Sequence, residues 1–365
     1  MFRHVCDLSE GLSQRGHLVG IICHSGETDA YWNARLHEAE KYCALGVTKL
    51  PIGRLLRPAD YFSIKKLYRL AVKLDVDIIH GHGAKGGAYA RLVGRMIRVR
   101  NPHKKIATLY TPHGGSLHYR KGTLSGFLYH SLERMLFPLS DRLLFESTYS
   151  RTRYGALINP NADAFPVIHN GLHDSEFRRV EISDNATSLV YAGELRALKG
   201  VGVLLDALAK LPEHVTLTLV GSGADEAMFQ KQAEQLGLGW RVRFVPPRNV
   251  RDALSLGQIA VMPSLAESMP YIILEALAMR HPIIATRVGG IPEIFGPDES
   301  HLISPNNAEE LASAITAALS DTDALQKKTD ALSEDIRRNF TLDNMVNRII
   351  NEYHQALNQN TSSES

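Results

Sequence analysis

Two glutamates separated by eight positions are the residues whose spacing points most directly to chemistry. Pro270 lies between Glu267 and Glu275, and it suits the first position of a helix because it lacks an N–H and has a fixed φ. Glu267 is then expected in the loop before the helix, and Glu275 about one and a half turns inside it. Amides at a helix N-terminus can hold phosphate or sugar oxygens, while carboxylates accept hydrogen bonds from sugar hydroxyls. The pair therefore suits a nucleotide sugar, although two glutamates on an amphipathic helix can also form a solvated face.

The elements around this pair predict where it lies in the fold. An apolar run of strand length, 258–264, precedes it, and a second run, 282–286, follows it. Similar runs alternate with helical patterns along the whole chain, which indicates parallel sheets covered by helices. Ligands of such open α/β folds bind at the C-terminal edge of the strands, and the glutamate pair falls at this edge.

The predicted elements can be given as approximate ranges. In the first half, strands are expected near His17–Cys23, Val47–Pro51, Asp77–His80, Ile106–Tyr110, Arg142–Phe145 and Phe165–His169, with helices at Tyr61–Leu74, Gly86–Ile97 and Leu124–Phe137. In the second half, strands are expected near Leu189–Ala192, Val215–Val220, Val242–Val245, Ile259–Met262, Ile283–Thr286 and His301–Ile303.

The glutamate pair and six further motifs together resemble the family 4 retaining glycosyltransferases of the GT-B fold. The family signature is the E-x7-E element, Glu267 to Glu275, between two buried strands. The other motifs are, in chain order, Asp77-Ile-Ile-His80-Gly-His82, Thr111-Pro-His113-Gly114, Val167-Ile-His-Asn170-Gly171 with Phe177, Tyr191-Ala-Gly193-Glu-Leu-Arg196-Ala-Leu-Lys199-Gly200, Leu219-Val-Gly221-Ser-Gly223 and Thr286-Arg-Val-Gly289-Gly290-Ile-Pro-Glu293. The resemblance covers nearly the whole chain.

The resemblance implies two Rossmann-like, doubly wound α/β domains that face a cleft. With 365 residues, the chain is long enough for two such domains, at roughly 100–200 residues each. The expected division is an acceptor-side domain at 1–175, a linker at 176–188, a nucleotide-sugar domain at 189–341, a helix at 342–358 that crosses back to the first domain, and a disordered tail at 359–365. The first domain is expected to lack its usual first strand and glycine-rich turn, because the opening residues resemble the middle of a first helix.

Donor-binding residues are expected in the second half. Lys199, Arg196 and the amides after Gly200 converge where a diphosphate could lie, although Arg196 stands two positions later than the family's arginine. The glycines Gly221 and Gly223 follow a strand, where they either allow close approach of a nucleotide or form a simple tight turn. By resemblance, Glu275 holds the ribose hydroxyls. By the same resemblance, Glu267 faces the sugar, assisted by the amides of Ser268 and Met269.

A histidine in the first half is the second expected catalytic residue beside Glu267. His113 follows a strand in a sharp Pro-His-Gly-Gly turn, and the resemblance places it beside the donor sugar. Retention of the anomeric configuration is expected without a protein nucleophile, because the leaving phosphate can take the acceptor's proton on the same face. For His80 and His82 a site role and a structural role are both open. The stretch Gly81–Gly86 matches a dinucleotide motif, but no acidic residue follows at the required distance, so it is expected to be a loop.

The composition limits the cofactors and the compartment. The aspartate pairs Asp75/Asp77 and Asp321/Asp323 are not placed as metal ligands, so no metal and no cofactor are expected, and the donor is a substrate. The three cysteines show neither metal-ligand nor redox-pair spacing, which fits a reducing compartment. No apolar run approaches the ~20 residues of a membrane helix. We therefore expect a cytoplasmic protein, with possible location at the inner face of the membrane.

Charge is distributed unevenly although the net charge is only +2. Residues 1–170 contain 24 lysines and arginines against 13 acidic residues, whereas residues 171–365 contain 17 against 26. Basic residues cluster in two runs, Lys65, Lys66, Arg69 and Lys73, and then Arg91, Arg95, Arg98, Arg100, Lys104 and Lys105. Such a face can attract anionic lipid, or it can be a merely soluble surface. Nucleic acid is not an expected partner, because no binding module accompanies the basic runs.

The expected function is a metal-independent retaining glycosyltransferase of the hexosyltransferase type. Its acceptor would be a glycan or lipid-linked saccharide in bacterial surface-polysaccharide assembly, that is, exopolysaccharide, O-antigen or lipopolysaccharide. Two alternatives use the same fold: a nucleotide-sugar epimerase or isomerase, and a non-catalytic nucleotide-sugar-binding protein, which the missing first strand would favour. Donor base, donor sugar and acceptor are open at this point. A version extended upstream is expected to be more active.

Overall fold

The computed structural model describes residues 1–26, 30–53, 57–119 and 121–362. It consists of two compact units. The first comprises Met1–Gly171 together with Leu342–Ser365, and the second comprises Leu172–Thr341. Residues 176–188, the expected linker, belong to the second unit, where Phe177 and Val180 are buried in the core.

The first part of the chain alternates helices and short strands. In order, these are α1 (Phe2–Ser13), β1 (Ile21–His24), α2 (Ala30–Glu40), β2 (Val47–Leu50), α3 (Asp60–Lys73), β3 (Ile78–His82), α4 (Gly83–Arg100), β4 (Ala107–Thr111), α5 (Leu124–Leu136), β5 (Arg142–Leu143) and α6 (Thr148–Leu157). Side-chain caps fix two helix starts, since Thr123 accepts from the amide of Gly126 before α5 and Ser147 accepts from Ser150 before α6.

The rest of the chain continues the alternation. The elements are β6 (Thr187–Ala192), α7 (Val201–Leu208), β7 (Leu217–Val220), α8 (Glu226–Gln235), β8 (Val242–Val245), α9 (Val250–Leu254), β9 (Gly257–Met262), α10 (Tyr271–Ala278), β10 (Ile283–Ala285), α11 (Ile291–Phe295), α12 (Ala308–Ser320), α13 (Thr322–Asn339) and α14 (Leu342–Ser362). Every helix in the described ranges is too short or too polar to cross a membrane.

The strands of the second unit form one parallel sheet in the order β10-β9-β6-β7-β8. The chain builds outward from β6 to β8, and then returns to the other side of β6 with β9 and β10. The direction of winding therefore reverses between β6 and β9, which makes this pair the topological switch point. Their core positions are filled by small and branched apolar side chains, as expected for strands covered on both faces.

The parallel strands of the first unit form two sheets, β1-β2 and β3-β4-β5. Helix α14 belongs to this unit and packs on α1 and β4, where Met345, Val346 and Ile349 join Leu8 and Leu12 in one apolar cluster. The helix runs to Ser362, so residues 359–362 are helical rather than part of a disordered tail. Residues 363–365 lie outside the described residues.

Two predicted strands and one predicted loop also differ from the structure. The runs Phe165–His169 and His301–Ile303 form no strand and contribute only single parallel bridges, Phe145 to Val167 and Thr286 to Ile303. Both runs contain side chains that are buried in a core, which explains their apolar composition. A short segment can bury such side chains without pairing along its length as a strand. The stretch Gly81–Gly86 is not a loop, because β3 ends at His82 and α4 begins at Gly83.

Candidate functional site

The loops that leave β6 and β9 lie side by side at the switch point of the second unit. Leu265 donates a backbone hydrogen bond to the carbonyl of Leu198, 2.9 Å away, and so joins the loop 193–200 to the loop 263–270. The crevice outside the strand ends of such a pair is the usual ligand site of an open α/β sheet. The candidate site is therefore defined by these two loops and by the neighbouring loops after β7 and β10.

Lys199 and Glu267 meet in this crevice. The Lys199 Nζ is 2.7 Å from Glu267 Oε1, and the hydroxyl of Ser264 donates to the same oxygen at 2.8 Å. Their side chains retain 29% and 11% of their exposure, so the pair is partly open to solvent. The sequence placed Lys199 at a diphosphate and Glu267 at a sugar. The structure brings the two charges into direct contact.

Backbone packing fixes the position of Glu267. Gly289 has a φ of +59°, and a Cβ at this glycine would lie 1.8 Å from the carbonyl oxygen of Glu267. The Thr286 hydroxyl donates to the carbonyl of Ser264 at 2.6 Å, and the amide of Gly290 donates to that of Ser268 at 2.8 Å. The loop after β10 thus holds the glutamate loop along its length, with Met269 buried beneath it.

The helix after this loop begins one residue later than the sequence suggested. Pro270 is the N-cap of α10, with an extended backbone, and Tyr271 is the first helical residue. Glu275 is the fifth of the eight residues of the helix and is only 5% exposed. Burial of a carboxylate costs free energy unless the group is paired or hydrogen-bonded. A glutamate at this buried position is therefore suited to accept hydrogen bonds.

Gly221 and Gly223, which were predicted to bind the donor, are also required by the close packing of two loops. Gly221 has a φ of +150°, and a Cβ there would lie 1.9 Å from the carbonyl oxygen of Gly193. A Cβ at Gly223 would lie 2.2 Å from the carbonyl oxygen of Leu195, and Leu195 in turn donates to the carbonyl of Ser222 at 2.9 Å. Both glycines therefore let the loops after β6 and β7 approach each other.

Arg196 is placed differently from Lys199. Its guanidinium is 3.6 Å from the carboxylate of Glu194, and both side chains are about 45% exposed. An exposed pair of this kind contributes little to stability, at about 0–1 kcal/mol. The guanidinium is therefore an exposed cation beside the site. The second unit also has a cavity of about 420 Å³ lined by Arg179, Gln258 and Asp323, but Gln258 places it at the opposite end of β9.

The first unit builds a histidine site at the ends of β3 and β4. His113 has a φ of +49°, which is rare for a residue other than glycine, and its Nδ1 is 2.6 Å from Glu146 Oε2. Glu146 is buried and follows β5. The carboxylate accepts a hydrogen bond from Nδ1–H, which orients the ring, and Nε2 lies on the side of His82. Strained backbone of this kind is typical of functional sites.

Two more histidines surround His113. His82 Nδ1 is 3.0 Å from His113 Nε2, and the ring centroid of His4 is 4.8 Å from that of His113. His4 lies on α1, with its Nδ1 2.9 Å from the side-chain oxygen of Asn170. Burial, followed by the nearby His113, lowers the pKa of His4 to about 3. Burial also lowers the pKa of His82 well below its ordinary value, so both rings are neutral at pH 7.

His80 has a structural position. Its Nδ1 is 2.9 Å from the Tyr353 hydroxyl on α14, and its Nε2 is 2.9 Å from the Thr111 hydroxyl on β4. Burial lowers its pKa well below the ordinary value. Both ring nitrogens are therefore used in joining α14 to the sheet, whereas His82 points to His113.

Three residues of the histidine site were assigned no role from the sequence: His4, Glu146 and Asn170. A signal existed for Glu146, because it directly follows a predicted strand and so lies at the same sheet edge as His113. Asn170 stands in one of the recognised motifs. His4 carried no local signal, since it approaches the others through the packing of a helix nearly 80 residues away in sequence.

Comparisons with known proteins agree on the family. Residues 173–339 match the model described as glycosyl transferases group 1, and residues 1–176 match the model described as glycosyltransferase family 4. The putative teichuronic acid biosynthesis glycosyltransferase TuaC of Bacillus subtilis is 30% identical over 249 residues, which cover 66% of this chain and 60% of that protein. The uncharacterized glycosyltransferase MJ1607 of Methanocaldococcus jannaschii is 24% identical over 383 residues, covering 97% and 94%.

The fold agrees as well. The crystal structure of Anabaena Alr3699/HepE in complex with UDP-glucose superimposes with a TM-score of 0.78 at 19% identity, covering 97% of this chain and 95% of that chain. The two family models together span residues 1–339, and the solved relatives have the GT-B fold. The chain therefore belongs to the family 4 glycosyltransferases.

Proposed function

We propose that this glycosyltransferase takes a hexosyl group from a nucleoside-diphosphate sugar and transfers it with retention of the anomeric configuration. The observation that carries the proposal is the Lys199–Glu267 pair at the β6/β9 switch point, 2.7 Å apart and partly open to solvent. A cation and a carboxylate at this place match the two ends of such a donor, its diphosphate and its sugar hydroxyls. A relative of the same fold was crystallised with UDP-glucose, which supports this donor class.

Each donor-site residue has a proposed task. On donor binding, Lys199 turns from Glu267 to the diphosphate, and Arg196 can reach the same phosphates from the surface. Glu267, released from the lysine, accepts hydrogen bonds from the sugar, while the backbone at Ser268 and Met269 lines the same pocket. Glu275 accepts from the ribose hydroxyls. The loops held together at Gly221 and Gly223 form the floor under the nucleotide.

The proposed reaction balances without a protein nucleophile. The bond between the anomeric carbon and the diphosphate oxygen breaks as the acceptor oxygen approaches from the same face. The departing phosphate oxygen takes the acceptor's hydroxyl proton, so the diphosphate leaves with that proton. Lys199 stabilises the negative charge that grows on the leaving group, and we propose that transfer needs no metal ion for this task.

His113 is the proposed catalytic residue of the first unit. Its Nδ1 is held by Glu146, which fixes the ring and directs Nε2 away from that carboxylate. We propose that this oriented imidazole accepts a hydrogen bond from a substrate hydroxyl through Nε2 and stabilises positive charge at the anomeric centre.

We further propose a glycan or lipid-linked acceptor in bacterial surface-polysaccharide assembly, at the inner face of the cytoplasmic membrane. The relative TuaC bears a name from teichuronic acid biosynthesis, which supports a cell-surface polymer. A second support is helix α5, whose residues Leu124, Phe127, Leu128 and Met135 are all more than half exposed on one side. Exposed apolar side chains beside Lys121 and Arg134 suit the boundary of an anionic membrane.

Incubation with a panel of nucleotide sugars tests the proposed function. Release of nucleoside diphosphate that requires an acceptor supports a transferase, an isomerised nucleotide sugar without release supports an epimerase, and binding without turnover supports a non-catalytic protein. Lys199→Met is expected to abolish most donor affinity. The matched control is Lys210→Met, which removes a lysine from an exposed ion pair with Glu309 in the same unit. Equal donor affinity in both variants would contradict the diphosphate role.

A further inference from the structure

Three histidines of the first unit each bring a ring nitrogen close to the same point. One nitrogen from each of His4, His82 and His113 lies within 4.8 Å of the other two. His82 Nδ1 and His113 Nε2 are 3.0 Å apart. Two nitrogens bound to a tetrahedral Zn²⁺ at about 2.1 Å are about 3.4 Å apart. The three rings therefore need only small side-chain movements to bind one ion.

The outer partners of the rings orient them as metal ligands are oriented. Asn170 is hydrogen-bonded at Nδ1 of His4, and Glu146 at Nδ1 of His113, at 2.9 Å and 2.6 Å. A histidine that binds a metal commonly donates its other N–H to such an oxygen, which fixes the tautomer and the ring plane. This arrangement directs the Nε2 of both rings to the metal side. His82 can present Nδ1 as a ligand once its proton resides on Nε2.

His80 limits the ligand set to three. It lies next to His82, with ring centroids 4.1 Å apart, but its two nitrogens are hydrogen-bonded to Tyr353 and Thr111. Three imidazoles with a vacant fourth position are the protein ligands of an open zinc site. Imidazole ligands favour zinc, copper and nickel over magnesium or calcium, which prefer oxygen.

We propose that His4, His82 and His113 form a binding site for a divalent transition-metal ion with the chemistry of Zn²⁺. The aspartate pairs that were excluded as metal ligands from the sequence have no part in this site. One consequence rests on the proposed function: an ion on Nε2 of His113 occupies the lone pair that transfer uses. Metal binding and sugar transfer then exclude each other, and the ion acts as an inhibitor.

Metal binding is tested on the untagged full chain, because a polyhistidine tag would bind the ion. The protein is titrated with Co²⁺, whose visible absorption strengthens in tetrahedral imidazole coordination, and Zn²⁺ is then added in competition. We expect one saturable Co²⁺ per chain that Zn²⁺ displaces. A near-ultraviolet charge-transfer band would instead indicate ligation by the cysteines and would overturn the proposal, as would the absence of saturable binding.

Variants assign the ligands. His82→Gln is expected to lose the absorption, whereas the adjacent buried variant His80→Gln is expected to keep it, with thermal melting of the metal-free proteins as the folding control. If His82→Gln does not fold, Asn170→Ala and Glu146→Gln replace it. Each is expected to bind Co²⁺ about 10- to 100-fold more weakly, as loss of an outer partner does. Unchanged affinity in all folded variants would contradict the site.

Inhibition is measured separately from binding. Zn²⁺ is expected to slow transfer by the wild type, and a chelator is expected to restore the rate. Co²⁺ binding is measured from the visible absorption of the ion, so the binding test gives a result even if the chain transfers no sugar. A chain that transfers sugar but binds no Co²⁺ overturns the metal site alone. A chain that binds Co²⁺ and transfers at an unchanged rate overturns the exclusion between the two.

Discussion

The two glutamates of the E-x7-E element differ in their surroundings, and the difference separates their tasks. Glu267 is partly open, pairs with Lys199 and lies in a loop, whereas Glu275 is buried within α10. A group that can exchange its partner is suited to a substrate whose charge changes during reaction. A fixed, buried acceptor is suited to a part of the donor that stays the same, such as the ribose.

We expect Glu275→Ala to weaken binding of the free nucleoside diphosphate by about 10- to 150-fold, the loss of a hydrogen bond to a charged group worth about 1.5–3 kcal/mol. Glu267→Ala should bind the diphosphate nearly as well as the wild type and should mainly lower turnover. Calorimetry with the diphosphate and rate measurements with the full donor give the two quantities. Unchanged affinity in a folded Glu275→Ala protein would rule out the ribose assignment.

At the scale of elements, a buried ion pair joins α4 to α5. Arg91 is fully buried, its guanidinium lies 2.9 Å from Glu133 and stacks over the ring of Tyr110, and Tyr110 donates to Glu133 at 2.8 Å. The sequence assigned Arg91 to an exposed basic run. This prediction was wrong for Arg91. Residues of one basic run lie on different sides of a helix, and Arg91 lies on the side of α4 that faces α5.

Removing one partner of this pair should destabilise the first unit strongly. Arg91→Met leaves the Glu133 carboxylate buried without its cation, and we expect a loss of about 3–5 kcal/mol in the free energy of unfolding. The double variant Arg91→Met, Glu133→Gln should recover part of that loss because it leaves no buried charge. Urea unfolding of the three proteins measures both effects. A double variant less stable than the single one would contradict this account.

A second prediction at this scale concerns pH. His281 is buried, with its Nε2 3.0 Å from the carbonyls of Leu254 and Gly257, and burial lowers its pKa below the ordinary 6.5. Below about pH 6.5 the unfolded chain therefore binds a proton that the folded chain does not. Stability is unaffected above that pH and falls as the pH is lowered, by on the order of 1 kcal/mol per pH unit.

The measurement is denaturant unfolding between about pH 7.5 and about pH 5, a range that brackets the ordinary histidine pKa of about 6.5. His281→Gln is expected to be less stable than the wild type at the upper end and to lose less stability on acidification. An equally steep loss in both proteins would exclude His281 as the cause.

How far the sequence predicted these elements depends on the kind of signal. Buried strands such as β9, where Ile259–Met262 are all apolar, are continuous apolar runs, so most were located to within a few residues. Single bridges such as Val167 and Ile303 carry the same apolar signal without strand pairing. At the site, Lys199 and Glu267 were predicted from neighbouring strands, but their direct contact was not. His4 joins the histidines through tertiary packing, and no local pattern encodes such packing.

For the whole molecule, the uneven charge remains when it is counted by structural unit. The first unit contains 25 lysines and arginines against 16 acidic residues, and the second contains 16 against 23. Part of the second basic run is neutralised, since Arg98 pairs with Asp141 and Lys104 with Asp75. The exposed lysines of α3 and the apolar face of α5 are the remaining candidates for contact with lipid.

We expect the protein to sediment with liposomes of anionic lipid at low salt and to be released at high salt, since the Debye length falls from about 10 Å at 0.1 M to about 3 Å at 1 M. Lys65→Glu with Lys66→Glu should weaken this binding in a salt-dependent way, and Phe127→Ser at all salt concentrations. Met228→Ser, which removes a half-exposed apolar side chain from the second unit, is the control. No binding at low salt would refute the membrane proposal.

The path of the chain also has a consequence for its synthesis on the ribosome. The first unit is interrupted by the 170 residues from Leu172 to Thr341, and it is completed only by α14. Arg15 of the opening segment bonds Asp343 and Asn347, and His80 bonds Tyr353. All residues of the second unit are therefore synthesised before α14, the last helix of the first unit. During translation, Leu8 and Leu12 of α1 and the ring of His80 therefore stay exposed until α14 has been made, and we expect a chaperone to bind the first unit at these residues.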